Sequence, residues 1–160
     1  MTIHDISLAI RADSPTKYAV YDIVNSDRTD KGGAPMTFQC CCYCQENMLP
    51  VIREGMEHFT AQTGVRIQAE WFGSQNELYR RLVSKEKCGA VLIALPGAAG
   101  MEAATHTREL LPSIPLIWCS DDRDFAIHSY RLRAASFLKM PVTPEQIRDS
   151  LKICRERYDV

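Results

Sequence analysis

No apolar run in this chain is long enough to cross a bilayer. The longest, such as Ala90 to Pro96, fall far short of the roughly 20 residues that a spanning helix needs. Net charge is almost absent: 19 Lys and Arg against 20 Asp and Glu leave −1. That balance gives no footprint for nucleic acid or an anionic membrane, so neither is expected as a partner. Asp5 and Arg11 interrupt the apolar stretch at the N-terminus, which excludes a secretory signal there. Histidine is sparse, and His4, His58, His106 and His128 form no pair. Cys88, Cys119 and Cys154 are scattered, so the paired spacing of a structural zinc site is missing. No metal and no cofactor are expected.

Cysteine is present in an odd number, seven, and four of the seven crowd into Cys40 to Cys44. That is a poor disulfide framework for a secreted domain. Reduced, buried thiols in a cytoplasmic protein fit better. Hydrophobic residues make up 46% of the 160 and charged residues 24%, enough for one domain with a substantial core.

Residues 1–35 read as an N-terminal extension. Ser14-Pro15 and Lys31 to Pro35 punctuate them, and Asp27, Arg28, Asp30 and Lys31 form a polar cluster. Tyr18 to Val24 alternates enough for a short strand or helix, and the pattern does not choose between them. The domain proper is expected over 36–160, where strands and helices alternate. Phe38 to Tyr43 is the first predicted strand. Asn47 to Thr63 follows as a helix, with Met48, Leu49, Ile52, Met56 and Phe59 at helical spacing and Gly64 as its stop. Val65 to Phe72 alternates as the second strand. Ser74 with Glu77 three residues on is a capping box for the second helix. Ala90 to Leu95 is uniformly apolar, as a strand covered on both faces is. Met101 to Leu111 is a third helix, Pro115 to Ser120 a fourth strand, Asp124 to Arg133 a fourth helix and Ser136 to Lys139 a fifth strand. Thr143 caps the fifth helix, and Pro144 takes its first position. Five such units imply an α/β fold with a doubly wound parallel sheet, whose ligands bind at the carboxyl ends of the strands.

The order from Gly89 to Val142 is a buried strand, a Pro-Gly loop at Pro96, Gly97 and Gly100, a helix, and a strand ending in Ser120. Another helix, a short strand and the Met140-Pro141 step follow. From Met36 onward this resembles the receiver domain of bacterial response regulators, those attached to LytTR-type DNA-binding domains above all. The resemblance implies a flavodoxin-like fold of five parallel strands in the order 2-1-3-4-5. It also implies an acidic pair that holds Mg²⁺, a phosphorylated Asp after the third strand, a Ser or Thr after the fourth and a Lys before a Pro after the fifth. Metal and Lys neutralise the transferring phosphoryl group, and the hydroxyl then binds it.

Carried over residue by residue, those positions are mostly emptied. The acidic pair falls on Tyr43 and Cys44, or on Cys42 and Tyr43 if the register slips by one. The phosphoacceptor falls on Ala94 if the following loop is two residues shorter, and on Leu92 otherwise. Ser120 matches the hydroxyl. The Lys falls on Met140, since its neighbour Lys139 points to the other face of a strand. A receiver-like domain that is not an enzyme and cannot be phosphorylated is therefore expected. It would act through a protein partner or a homodimer, in signalling or transcriptional control. The resemblance places that contact on helix four, strand five and helix five, with Tyr130, Arg131, Arg148 and Arg155 as candidate interface residues. For Tyr130, packing against the fifth strand is the competing reading, and for the arginines a solvated helix face. No output domain is expected after the fifth helix, and output is expected from a partner or from residues 1–35.

A rival reading uses the Cys41-x-x-Cys44 spacing. Placed between a strand and a helix start, it has the position of a thioredoxin-like redox pair, where a helix N-terminus activates the thiol. The competing reading makes these cysteines small buried hydrophobes of the first strand. Asp121, Asp122 and Asp124 are read as N-caps of the fourth helix in preference to cation ligands. Trp118 is read as core.

Overall fold

The structure, a computed structural model, describes residues 7–9, 20–23, 37–84 and 86–158. Strands β1 (Ser7–Ala9) and β2 (Val20–Ile23) come first, followed by β3 (Thr37–Cys44). Then α1 (Leu49–Thr63), β4 (Arg66–Phe72), α2 (Gln75–Val83), β5 (Ala90–Ala94) and α3 (Gly97–Leu110) alternate. The chain continues through β6 (Leu116–Ser120), α4 (Ala126–Arg131), β7 (Ser136–Lys139) and α5 (Pro144–Tyr158).

All seven strands form one sheet, in the order β1-β2-β4-β3-β5-β6-β7. From β4 to β7 every pairing is parallel. That five-stranded part has the expected order 2-1-3-4-5. The undecided stretch Tyr18 to Val24 contains β2, which pairs antiparallel with β4, Val20 opposite Glu70 and Ile23 opposite Ile67. β1 adds antiparallel to β2. Residues read as an extension thus contribute two strands that cover the open edge of β4, where unpaired backbone would otherwise face water. The breaks at Ser14-Pro15 and Lys31 to Pro35 and the Asp27 to Lys31 cluster lie outside the described residues.

The period-two rule distributes the strands' side chains over two cores. Cys40, Cys42, Ile67, Ala69, Leu92, Ala94, Ile117 and Cys119 pack against α1 and α5. Cys41, Val91, Ile93, Leu116 and Trp118 join Leu78, Leu82, Ala103 and Ala104 of α2 and α3. Trp118 is fully buried, as expected, and stacks on Phe125 at 5.7 Å with Phe137 edge-on at 5.4 Å. The closest helix approach is at Gly55, where an added Cβ would meet Ile147 Cβ at 2.5 Å.

The helix signals act largely as read. Gly64 ends α1 in the left-handed region at φ 72°. Ser74 Oγ accepts from Glu77 N–H at 3.3 Å, although the Glu77 carboxylate returns to Gly73 N–H at 3.2 Å, one residue before the cap. Thr143 and Gln146 close a full reciprocal box at the start of α5. The third helix starts at Gly97, a turn earlier than Met101. The fourth is short, because a 3₁₀ turn takes up Arg123–Phe125.

Candidate functional site

At the carboxyl end of the sheet, the ends of β3, β5, β6 and β7 lie side by side. Cys44 is the register partner of Ala94, Ala94 of Cys119, and Ser120 of Lys139. Two backbone bonds close this rim, Gln45 N–H to Ala94 C=O at 3.2 Å and Met140 N–H to Ser120 C=O at 2.8 Å. The structure therefore brings Tyr43, Cys44, Ala94, Ser120 and Met140 to one edge. Leu92 lies two residues deeper, paired with Cys42 inside the ladder and fully buried, so the strand end belongs to Ala94.

Tyr43, Cys44, Ala94 and Met140 carry no charged side chain. Ala94 is fully buried and offers no donor or acceptor in its side chain. Burial pushes the Cys44 thiol up to about 12 and raises the Tyr43 phenol above its usual value, so both keep their protons at neutral pH. Cys44, Ala94 and Met140 pack on the α1 and α5 face, with Tyr43 on the other. Mg²⁺ asks for hard, anionic oxygen ligands. A neutral thiol, a neutral phenol and a methyl group do not fit it. Among the described residues, no three His, Cys, Asp or Glu side chains converge as cation donors. Lys139 turns its exposed ammonium onto the Met140 carbonyl at 2.7 Å.

Ser120 is fully buried, and its Oγ accepts from Asp122 N–H at 3.3 Å. None of the three aspartates read as caps of the fourth helix caps α4, whose N-cap is Phe125; the Asp122 carboxylate caps the 3₁₀ turn before it, accepting from Asp124 N–H at 2.9 Å. Asp121 instead crosses to the start of α3 and accepts from Gly97 N–H, the first of that helix, at 2.9 Å. Gly97 has φ +64°, a conformation that favours glycine, and this aims its N–H at the carboxylate. The segment after β6 is thus tied to the N-terminus of α3 by one carboxylate. The Met140–Pro141 bond is cis.

The rival dithiol is not assembled. Cys41 and Cys44 are three residues apart in one strand, so their side chains leave opposite faces, Cys41 into the α2 and α3 core and Cys44 towards α1 and α5. Neither sits at a helix N-terminus, because β3 continues through Cys44 and α1 starts at Leu49. The activating geometry of a helix-borne CxxC is absent here. Cys41 has a different neighbour: its sulfur lies 3.2 Å from that of Cys88.

No protein-family model matches the chain, and no curated protein does. Solved structures do. A response regulator receiver domain protein from Clostridium thermocellum superposes with a TM-score of 0.62 at 16% identity, over 76% of this chain and 97% of that one. The receiver domain of AraT, a response regulator from Geobacillus stearothermophilus, gives 0.60 at 17% identity, over 78% and 98%. A putative CpaE2 pilus assembly protein from Sinorhizobium meliloti gives 0.54 at 13% identity, over 72% and 98%. This chain has the receiver fold.

On that fold, α4 carries two exposed large apolar side chains. Tyr130 is 86% exposed and Ile127 65%, so Tyr130 does not pack against β7 as one reading had it. Arg131 is exposed beside them. Arg148 and Arg155 are half-buried on α5, and Arg148 Nε donates to Asp149 at 2.9 Å. Arg108, which the periodicity of α3 does not single out, holds this face in place. Its guanidinium donates to the carbonyls of Leu132 at 2.6 Å, Ile114 at 2.8 Å and Arg133 at 3.2 Å, bridging α3 to the α4–β7 turn. No helix among the described residues is long and apolar enough to cross a membrane.

Proposed function

We propose that this protein is a receiver-like module that cannot be phosphorylated, and that it works by binding a protein partner in bacterial signalling or transcriptional control. The observation that carries the reading is the pairing of Cys44 with Ala94 at the strand ends where a receiver needs carboxylates. Phosphoryl transfer needs a nucleophile and a counter-charge for the moving group. The rim offers a methyl group in place of the first, and Met140 in place of the cation.

With no phosphate to respond to, the loops need another source of order. The Asp121 carboxylate on Gly97 N–H supplies it from within the chain, and Ser120 is held by Asp122 N–H. The module therefore presents one fixed state of its α4–β7–α5 face, and regulation comes from the abundance or modification of the chain. A cytoplasmic location and a non-enzymatic role follow from the same reading, as does an affinity to the receivers of LytTR-type regulators. Ile127 and Tyr130 are its contact residues, for a second copy or a different protein, with Arg131 beside them.

Thermal unfolding with Mg²⁺ and beryllium fluoride, which mimics a phosphoryl group on a receiver Asp, tests this. The melting temperature should stay constant up to millimolar additions. A saturable rise of several degrees would mean that the rim binds the phosphoryl mimic, against the proposal.

A further inference from the structure

Away from the strand ends, Cys41, Glu70, Arg81 and Cys88 form a polar group on the α2 face of the sheet. Cys41 and Glu70 are register partners across β3 and β4, so their side chains leave the same face. Arg81 Nε lies 3.0 Å from the Glu70 carboxylate and Nη2 donates to Lys87 C=O at 2.8 Å, with Nη1 reaching Glu86 C=O at 3.3 Å. One guanidinium therefore ties β4 to the segment that delivers Cys88. Cys88 is partly exposed, beside exposed Glu86 and Lys87, whereas Cys41 is buried beneath it. The two sulfurs are 3.2 Å apart, and the neutral Cys88 thiol has a second acceptor, Ala90 C=O, also at 3.2 Å.

The geometry points to Cys88 and Cys41 as a peroxide-reactive dithiol, with Cys88 as the attacking sulfur and Cys41 as the resolving one. This inference is independent of the receiver reading. Three features set the roles. Only Cys88 of the pair has a path to solvent. The Cys41 S–H hydrogen-bonds to an ionised Cys88, and the Arg81 charge adds to that, so the Cys88 thiol is lowered while its partner is raised. Finally, a disulfide bond is about 2.05 Å long, and closing it from 3.2 Å asks for a movement of only about 1 Å.

The chemistry balances with a hydroperoxide as oxidant. The Cys88 thiolate attacks the terminal peroxide oxygen, an S–O bond forms, the O–O bond breaks, and the alkoxide or hydroxide released takes a proton. The Cys41 sulfur then attacks the Cys88 sulfenic acid. The S–S bond forms, the S–O bond breaks, and the departing hydroxide carries off the Cys41 proton as water. Two thiols and one hydrogen peroxide give one disulfide and two waters. The product staples β3 to the segment before β5, two parts of the chain that are 47 residues apart.

The test uses the full chain, reduced, desalted and exposed to hydrogen peroxide. Remaining thiols are then alkylated and the peptides mapped under non-reducing conditions. The expected product is the peptide beginning at Cys88 joined to the one holding Cys40 to Cys44. Fragment-ion sequencing of that wild-type pair should place the bond on Cys41, which needs no variant. Cys41→Ala should lose the link and let dimedone trap a sulfenic acid on Cys88, whereas Cys44→Ala keeps it. Cys88 left fully reduced while other cysteines oxidise, or a bond from Cys88 to Cys40, Cys42 or Cys44, overturns the proposal.

Discussion

Cys44 and Ala94 face each other across β3 and β5, at the rim where the Gln45 N–H binds the Ala94 carbonyl at 3.2 Å. Both side chains belong to the core beneath α1 and α5. This pair makes the strand-end rim the upper end of a hydrophobic core.

Placing a carboxylate at position 94 should be costly. Ala94 is fully buried in the core that also holds Cys44, Cys119 and Met140. A new Asp there should destabilise the protein by about 2–5 kcal/mol at neutral pH, the range for an unpaired buried ionisable group. Its carboxyl should titrate above the ordinary range, so part of the loss should be recovered on acidification towards about pH 5. Urea unfolding of Ala94→Asp at the two pH values measures this. A variant as stable as the parent at neutral pH would mean that the rim already holds an unrecognised counter-charge.

Arg81 should matter more than a surface arginine does. Only 10% of its side chain is exposed, against 19% for Glu70, and it also carries two loop carbonyls. Arg81→Met strands the Glu70 carboxylate and should cost about 2–4 kcal/mol. It should also slow alkylation of Cys88 by iodoacetamide at neutral pH, because the guanidinium helps to hold that thiol below its usual value. Unchanged stability and unchanged alkylation together would remove Arg81 from both roles.

Alkali should unfold the chain through its thiols. Burial pushes Cys44, Cys119 and Cys154 up to about 12 from a usual 9.0, and raises Cys42 as well. Below pH 9.0 these thiols are protonated in both states, and their contribution is fully present. Between 9.0 and about 12 the unfolded chain releases protons that the fold retains, so stability falls, by about 1.4 kcal/mol per pH unit for each such thiol. Cys88, whose thiol is lowered, acts in the opposite sense, but it is one group against several. Urea midpoints under reductant should therefore stay nearly level up to about pH 8.5 and drop steeply between about pH 9 and about pH 10.5. A flat profile would contradict the burial of the cysteine ladder.

Ile127 and Tyr130 should be silent in folding and audible in binding. At 65% and 86% exposure they contribute little to the core. Ile127→Ser and Tyr130→Ala should change stability by less than about 0.5 kcal/mol. If a second copy is the partner, sedimentation equilibrium should show a weaker dimer. A stability loss above about 1 kcal/mol would show instead that these side chains pack.

Much of this was legible in the chain. The uniformly apolar Ala90 to Leu95, the Ser74 and Thr143 caps and the Gly64 stop each act through local physics, and each appears in the structure. The alignment of Tyr43, Cys44, Ala94, Ser120 and Met140 was readable because strand ends in a parallel sheet meet at one rim. What escaped reading is non-local. Nothing near Val20 says that it will pair with Glu70, fifty residues on, so β2 could be seen as regular but not placed. The meeting of Cys41 with Cys88 depends on the β3–β5 register and on Arg81 folding back over the loop. The CxxC spacing drew the eye to Cys44, although a strand sends residues three apart to opposite faces. Asp121 reads as a cap of the helix that follows it because caps are local, whereas its partner, Gly97, is the first residue of the preceding helix α3.

The most direct test of the central claim is the intact mass of the chain after incubation with acetyl phosphate and Mg²⁺, beside an active receiver domain treated identically. The account predicts that the control gains the mass of one phosphoryl group and this chain gains none. An acid-stable, hydroxylamine-labile adduct on this chain, the signature of an acyl phosphate, would contradict it.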